Sequence, residues 1–205
     1  MAKKNIFLTL GVLILFLATF AVPPASTPVE ARMKGEQFSA LGFLPTGVGM
    51  RGIGAGGTMN LTIYIDSYTP DADAQVFAKT LIEQGPDELL KGLEKAKAIG
   101  KVTAMRHLGF FDLKLIRSRP LPDGGRRIVG VCDRPIQFLE AAYGGRSLDN
   151  KFGIVILDVK PNSKGKEEGT GQLIYAAKVK VLEGNKVEVE NYGIEPARLQ
   201  GVRRQ

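Results

Sequence analysis

The chain has almost none of the cysteine and histidine on which much nucleophilic and metal chemistry rests. It contains one cysteine, Cys132, and one histidine, His107. A single cysteine excludes a disulfide framework within the chain and any metal or iron–sulfur site built from several thiolates. A single histidine excludes every motif that needs two. Tryptophan is absent, so the broadest stacking platform for sugars is missing, and Tyr64, Tyr68, Tyr143, Tyr175 and Tyr192 are its only phenolic substitutes. Glycine followed by Lys-Ser or Lys-Thr does not occur, which excludes a P-loop. No repeat of solenoid length and no linker divides the chain.

What is present describes a globular protein. Of 205 residues, 44% are hydrophobic and 24% charged, which excludes wholesale disorder, collagen and coiled coil. Lysine and arginine number 28 against 21 acids, a formal charge of +7. The length allows one domain or two small ones.

The first residues have the order of parts of a secretory signal peptide. Lys3 and Lys4 precede Ile6–Val22, 17 residues without a charge, and Pro23-Pro24 ends any helix there. Val29-Glu30-Ala31 supplies modest and small side chains before Arg32, so cleavage is expected after Ala31; Thr19-Phe20-Ala21 is an earlier alternative. An uncleaved membrane anchor is the competing reading, because 17 residues sit at the lower limit for crossing a bilayer. The expected organisation is a cleaved segment 1–31 and one domain over 32–205. Removing the 31 residues from 205 leaves 174 and takes one net positive charge, from +7 to +6. A chain of that size buries about 70% of its unfolded surface and needs no disulfide outside the cytosol.

The remaining pattern predicts strands with one helical insert. Met59, Leu61, Ile63 and Ile65 alternate with Asn60, Thr62, Tyr64 and Asp66, the period of a half-buried strand. Further strands are expected over 35–44, 100–107, 109–119, 125–134, 151–160, 171–182 and 186–193. Ile154–Leu157 is apolar at every position, which suits a central strand covered on both faces. Two helices are expected between Thr69 and Lys97. Thr69 is the candidate cap, Asp71 and Asp73 suit the first turn, Ala74, Phe77, Ala78, Leu81 and Ile82 form one stripe, and Gly100 is the stop. Leu121–Gly125 has the chemistry of a hairpin turn. Glu183–Lys186 suits a two-residue II′ loop. Residues 161–171 read as a polar mobile loop, 137–143 as either helix or strand, and Pro196 as the end of regular pairing. The fold class is α+β: a strongly curved, mostly antiparallel sheet or partial barrel of about eight strands, with a helix pair over one face.

Candidate sites are few. Gly47–Gly52 matches G-x-G-x-x-G, but a strand follows where dinucleotide binding requires a helix. From Arg51 onward the alternation of Arg51, Ile53 and Ala55 with Gly52, Gly54 and Gly56 suits a strand with a bare glycine face. An exposed glycine loop with Arg51 would instead hold an anion. Arg117, Arg119, Arg126 and Arg127 flank the 120–125 turn, so a hairpin would gather four guanidinium groups, which bind phosphate or carboxylate bidentately. Cys132 reads as a small buried hydrophobe, and its pairing with His107 as a nucleophile needs an orienting third group. Asp158 continues the parity of Phe152, Ile154 and Ile156, with Arg117 or Arg119 as its expected partner; Asp133 is the other carboxylate of interest. No catalytic residue, cofactor, metal or nucleic-acid partner is indicated.

The function expected from these features is that of an exported, periplasmic or extracellular, non-enzymatic binding or interaction protein of the cell envelope. Its partner would be an anionic envelope component or a small apolar or anionic ligand, with membrane contact only through an uncleaved N-terminus. The alternatives are an exported hydrolase with a carboxylate or Cys132/His107 site, and a membrane-anchored structural component.

Overall fold

The computed structural model describes residues 35–43, 57–104, 110–136, 150–182, 186–191 and 195–205. The expected signal peptide, Arg51 with most of the glycine run, His107 and the 137–143 segment lie outside these residues. The described strands are β1 (Glu36–Phe43), β2 (Thr58–Ile65), β3 (Gly100–Ala104), β4 (Phe110–Leu113), β5 (Leu115–Pro120), β6 (Arg126–Cys132), β7 (Phe152–Pro161), β8 (Glu167–Leu182), β9 (Lys186–Asn191) and β10 (Ala197–Arg204). Two helices, α1 (Asp71–Gln84) and α2 (Pro86–Lys95), sit between β2 and β3.

All strands join one sheet in the order β4-β3-β2-β1-β10-β8-β7-β6-β5, with β9 added to β8. Every ladder is antiparallel. The two ends of that order are halves of one bent strand. The sequence predicts a single strand over 109–119; it bends at Lys114, with β4 pairing β3 and β5 pairing β6. The Lys114 N–H still bonds to the Val131 carbonyl, at 2.9 Å. The sheet therefore nearly closes on itself, which hides most of the free edges that an open sheet would expose. The fold is the α+β curved sheet with a helix pair that the pattern implies.

β7 divides two cores. Val155, Leu157 and Val159 point into the barrel with Phe38, Leu61, Ile63, Val102, Ile116, Ile128 and Leu173. Ile154 and Ile156 point outward under Leu81, Leu89 and Leu93 of the helices. The double burial expected of 154–157 is what the sheet shows.

Close curvature depends on glycine in β8. A Cβ at Gly169 would lie 1.8 Å from the Asp158 carbonyl oxygen, and one at Gly171 2.4 Å from that of Ile156. Glycine lets the β7 backbone approach where any side chain would block it.

Several expectations are corrected. Thr69 does not cap α1: its hydroxyl accepts the Ile116 N–H at 2.9 Å, fastening the helix entry to β5 instead. α2 stops at Lys95, and Gly100 begins β3, tight against the Tyr64 carbonyl, rather than ending the helix. Leu182 pairs with Lys186, and the turn expected at Glu183–Lys186 lies largely outside the described residues. Leu173, Tyr175, Ala177 and Val179 share one parity, which in a regular strand would put them on one face. A register shift between Phe152 and Ile154 separates them, placing Leu173 and Tyr175 in the barrel and Ala177 and Val179 under the helices. The polar loop after Pro161 is short, because β8 begins at Glu167, and Asn162 orders it by accepting the N–H groups of Lys164 and Lys166 at 2.9 and 3.0 Å. Pairing does not end at Pro196: β10 follows it and lies between β1 and β8.

Candidate functional site

The four arginines do not form one cluster. Alternation in paired strands sends neighbours to opposite faces. Arg119 lies opposite Arg127, and Arg126 opposite Pro120. Arg126 thus turns inward with Ile128, while Arg117, Arg119 and Arg127 stand outside.

Three of the four are engaged by the protein's own groups. Arg117 donates to the Thr69 carbonyl at 2.8 Å and to Asp71 at 2.6 Å. Arg127 grips Asp158 with two bonds of 2.5 Å, its cross-strand neighbour. Asp158 is therefore partnered by Arg127, not by Arg117 or Arg119. The hydrogen bond to Asp158 raises the already high pKa of Arg127. Among the described residues Arg119 has no ion pair.

Arg126 is the centre of a charged plug across one end of the barrel. It donates from Nε and one terminal nitrogen to Glu167, at 2.6 and 2.7 Å, and from that same terminal nitrogen to Glu36 at 2.9 Å. Its other terminal nitrogen donates to the Tyr68 hydroxyl at 2.8 Å, and that hydroxyl donates to Glu36 at 2.7 Å. Arg204 completes the set, 3.3 Å from Glu36 and 3.2 Å from Glu167. Two arginines meet two carboxylates, so the plug is charge-balanced. It ties β1, β6, β8 and β10 together with the segment entering α1. Burial works against the Arg126 charge, and the Glu167 and Glu36 carboxylates outweigh it, so the guanidinium binds its proton more tightly than usual. Burial, then the bond to Glu36, pushes the Tyr68 phenol above its ordinary value. Glu36 was legible as the first residue of a strand whose parity carries Phe38 and Ala40 inward. Tyr68, Glu167 and Arg204 had no such signal.

The hydrogen bond from Arg126 holds the Glu167 carboxyl below the usual glutamate range. A depressed carboxylate contributes stability that is present above its unfolded pKa and lost as pH falls through the folded one. Unfolding in urea at a series of acidic pH values is expected to show stability falling below the ordinary glutamate pKa of 4.5. Glu167→Gln is expected to flatten that fall.

The carboxylate and thiol candidates are not brought together. Cys132 faces Gly153 while Arg127 faces Asp158, so Cys132 and Asp158 lie five residues apart along the ladder, about 17 Å, and on opposite faces. Asp133 is 3.8 Å from Lys114. Cys132 is fully buried in the barrel core, and burial pushes its thiol up to about 12. At neutral pH it is un-ionised and sealed from solvent. A disulfide reagent is expected to leave native Cys132 unmodified and to react fully once the chain is unfolded in urea; fast modification of the folded protein would contradict this burial.

Among the described residues the barrel interior is lined by tightly buried apolar side chains. Phe38, Leu61, Ile63, Val102, Ile116, Ile128, Leu157, Leu173 and Val202 are at most 2% exposed. Among the described residues no group of three His, Cys, Asp or Glu is placed to hold a metal ion, and no helix is long and apolar enough to cross a membrane.

What stays available is the outside of the plugged end. The β5–β6 turn and the β7–β8 loop lie side by side there, since a Cβ on Gly125 would stand 3.1 Å from the Lys160 Cβ. Lys160, Lys164 and Lys166 are exposed, and among the described residues they and Arg119 make no ion pair. Leu121 and the exposed Pro122 form the neighbouring tip, fixed by the 2.8 Å bond from the Leu121 N–H to the Gly125 carbonyl.

Among the described residues, fold and site together define a nearly closed antiparallel sheet with two flanking helices, a buried apolar interior and exposed lysines at one end. The chain matches no protein family, curated protein or solved structure.

Proposed function

We propose that the protein is an exported, non-enzymatic interaction module of the cell envelope, released after Ala31, that meets an anionic partner through its outer surface at the plugged end. The observation that supports this reading is the set of exposed lysines beside the plug that have no ion-pair partner among the described residues, Lys160, Lys164 and Lys166. The described interior side chains are tightly buried, which favours recognition at the surface over carriage of a small apolar ligand. Arg119, Lys160, Lys164 and Lys166 are the cations there whose charge is not spent on internal partners. Arg117 and Arg127 are engaged by Asp71 and Asp158, and Arg126 belongs to the plug, so these three support the end rather than offer it. Arg51 is outside the described residues and takes no part in the reading.

Fractionation of the producing cells tests it. The protein is expected in the envelope or outside the cell, shortened at its N-terminus, and released from envelope material by raised salt, because contacts between exposed charges are screened. A full-length protein confined to the cytosol, or one held equally at low and high salt, would overturn it.

A further inference from the structure

We infer that the partner of the plugged end is an anionic lipid surface, on which the barrel stands with its two hairpin tips down; this rests on the envelope reading above. Three observations converge. First, the charge is complementary and presented outward. Lys160, Lys164 and Lys166 follow one another round the β7–β8 loop, and Arg119 stands on the adjacent hairpin. Asn162 holds the loop in shape by accepting the N–H groups of Lys164 and Lys166, and Gly165 turns the chain at φ +72°. Asp123 is the acid on the neighbouring tip, and its carboxylate accepts the Gly125 N–H at 3.2 Å. Glu168 is the cross-strand neighbour of Lys160 and lies 3.9 Å from Arg203.

Second, the tips carry apolar groups where a headgroup layer would receive them. Pro120, Pro122 and Pro161 are exposed and Leu121 is half-buried. Prolines at these positions leave fewer unsatisfied N–H donors for the interface to cover. Basic residues round an apolar tip combine the two attractions that hold peripheral proteins on anionic bilayers.

Third, the chain enters the barrel at this end. β1 begins at Glu36, within the plug, and the uncharged run 6–22 precedes it by a stretch that includes Pro23, Pro24 and Pro28. Thirteen residues, 23–35, separate that run from β1, a reach of at most about 45 Å when fully extended. While the run is attached to the chain it brings this end to the membrane first.

The test uses the protein in the form isolated from the envelope, co-sedimented with phosphatidylcholine vesicles and with vesicles that also contain phosphatidylglycerol. The described strand ladders are made within residues 36–204, so a form beginning at Arg32 keeps every described strand. Binding is expected only to the anionic vesicles and to fall as salt rises. Lys160→Glu/Lys164→Glu/Lys166→Glu is expected to weaken it at least about tenfold. Lys79→Glu/Lys91→Glu/Lys101→Glu makes the same charge change at exposed positions on the helices and β3 and is expected to bind as the parent does. Circular dichroism checks that both variants are folded. Equal binding to both kinds of vesicle, or equal effects of the two variants, would overturn the inference while leaving an envelope protein with another anionic partner. A protein absent from the envelope would remove the functional reading itself.

Discussion

Replacing Arg126 with methionine is expected to cost about 3 kcal/mol or more of unfolding free energy. The guanidinium satisfies Glu167 through two hydrogen bonds and also meets Glu36 and Tyr68. Glu36 is 7% exposed, so its charge has no water to turn to when its partner leaves. Truncating Arg126 leaves Arg204 as the one remaining cation of the plug for two carboxylates, so one negative charge there loses its counter-charge, which costs more than the pair was worth. Lysine at 126 keeps the charge but cannot reach the two carboxylates as a planar fork, so Arg126→Lys recovers only part of the loss. The same Arg126→Met change made together with Glu36→Gln and Glu167→Gln is expected to cost less than it does alone, because the stranded charges are gone. Urea unfolding of the four proteins measures this. A loss below about 1 kcal/mol for Arg126→Met would mean that the plug is solvated and does not hold the barrel end.

Gly169→Ala is expected to be the most damaging single substitution among those considered. The added methyl would sit 1.8 Å from the Asp158 carbonyl oxygen, a backbone atom in a central ladder. Relief requires β7 and β8 to part, and their ladder is the longest contact in the sheet, running from Phe152 to Pro161. The expected cost exceeds about 4 kcal/mol, a large fraction of the stability of an ordinary domain. Gly165→Ala provides the contrast. Gly165 has φ +72° and no atom within 4 Å of the added position, so its cost is backbone strain of about 1 kcal/mol. Near-ultraviolet circular dichroism and urea titration distinguish the two. A cooperatively folded Gly169→Ala protein of parental stability would show that the strands are not so closely apposed.

Much of the fold was legible because the period-2 pattern is strong where one face is buried. Met59 to Asp66, Ile154 to Leu157 and the helical stripe through Leu81 each pointed to its observed place. What the pattern hid was irregularity. Lys114 bends a strand that reads as continuous, and that bend lets the sheet close on itself. Gly201, at φ +58°, shifts the register of β10, so Ala197, Leu199 and Val202 do not alternate evenly; the strand was invisible behind Pro196. The same kind of shift split the face of Tyr175 from that of Val179.

The site was less legible than the fold, for a topological reason. Four arginines close in sequence invite a cluster, yet alternation sends Arg126 inward. Its partners, Glu36, Tyr68, Glu167 and Arg204, come from separate parts of the chain. Only closure of the sheet brings them to one end. Lys160, Lys164 and Lys166 were visible as charges in a polar loop, but nothing local showed that this loop lies beside the 120–125 turn.

If the protein is exported and acts through its surface, native mass spectrometry of the form isolated from its own envelope reads both properties at once. The expected mass lacks residues 1–31, and no small molecule is retained on desolvation. An apolar compound carried in stoichiometric amount would contradict recognition at the surface, and a chain retaining residues 1–31 would contradict release from the membrane.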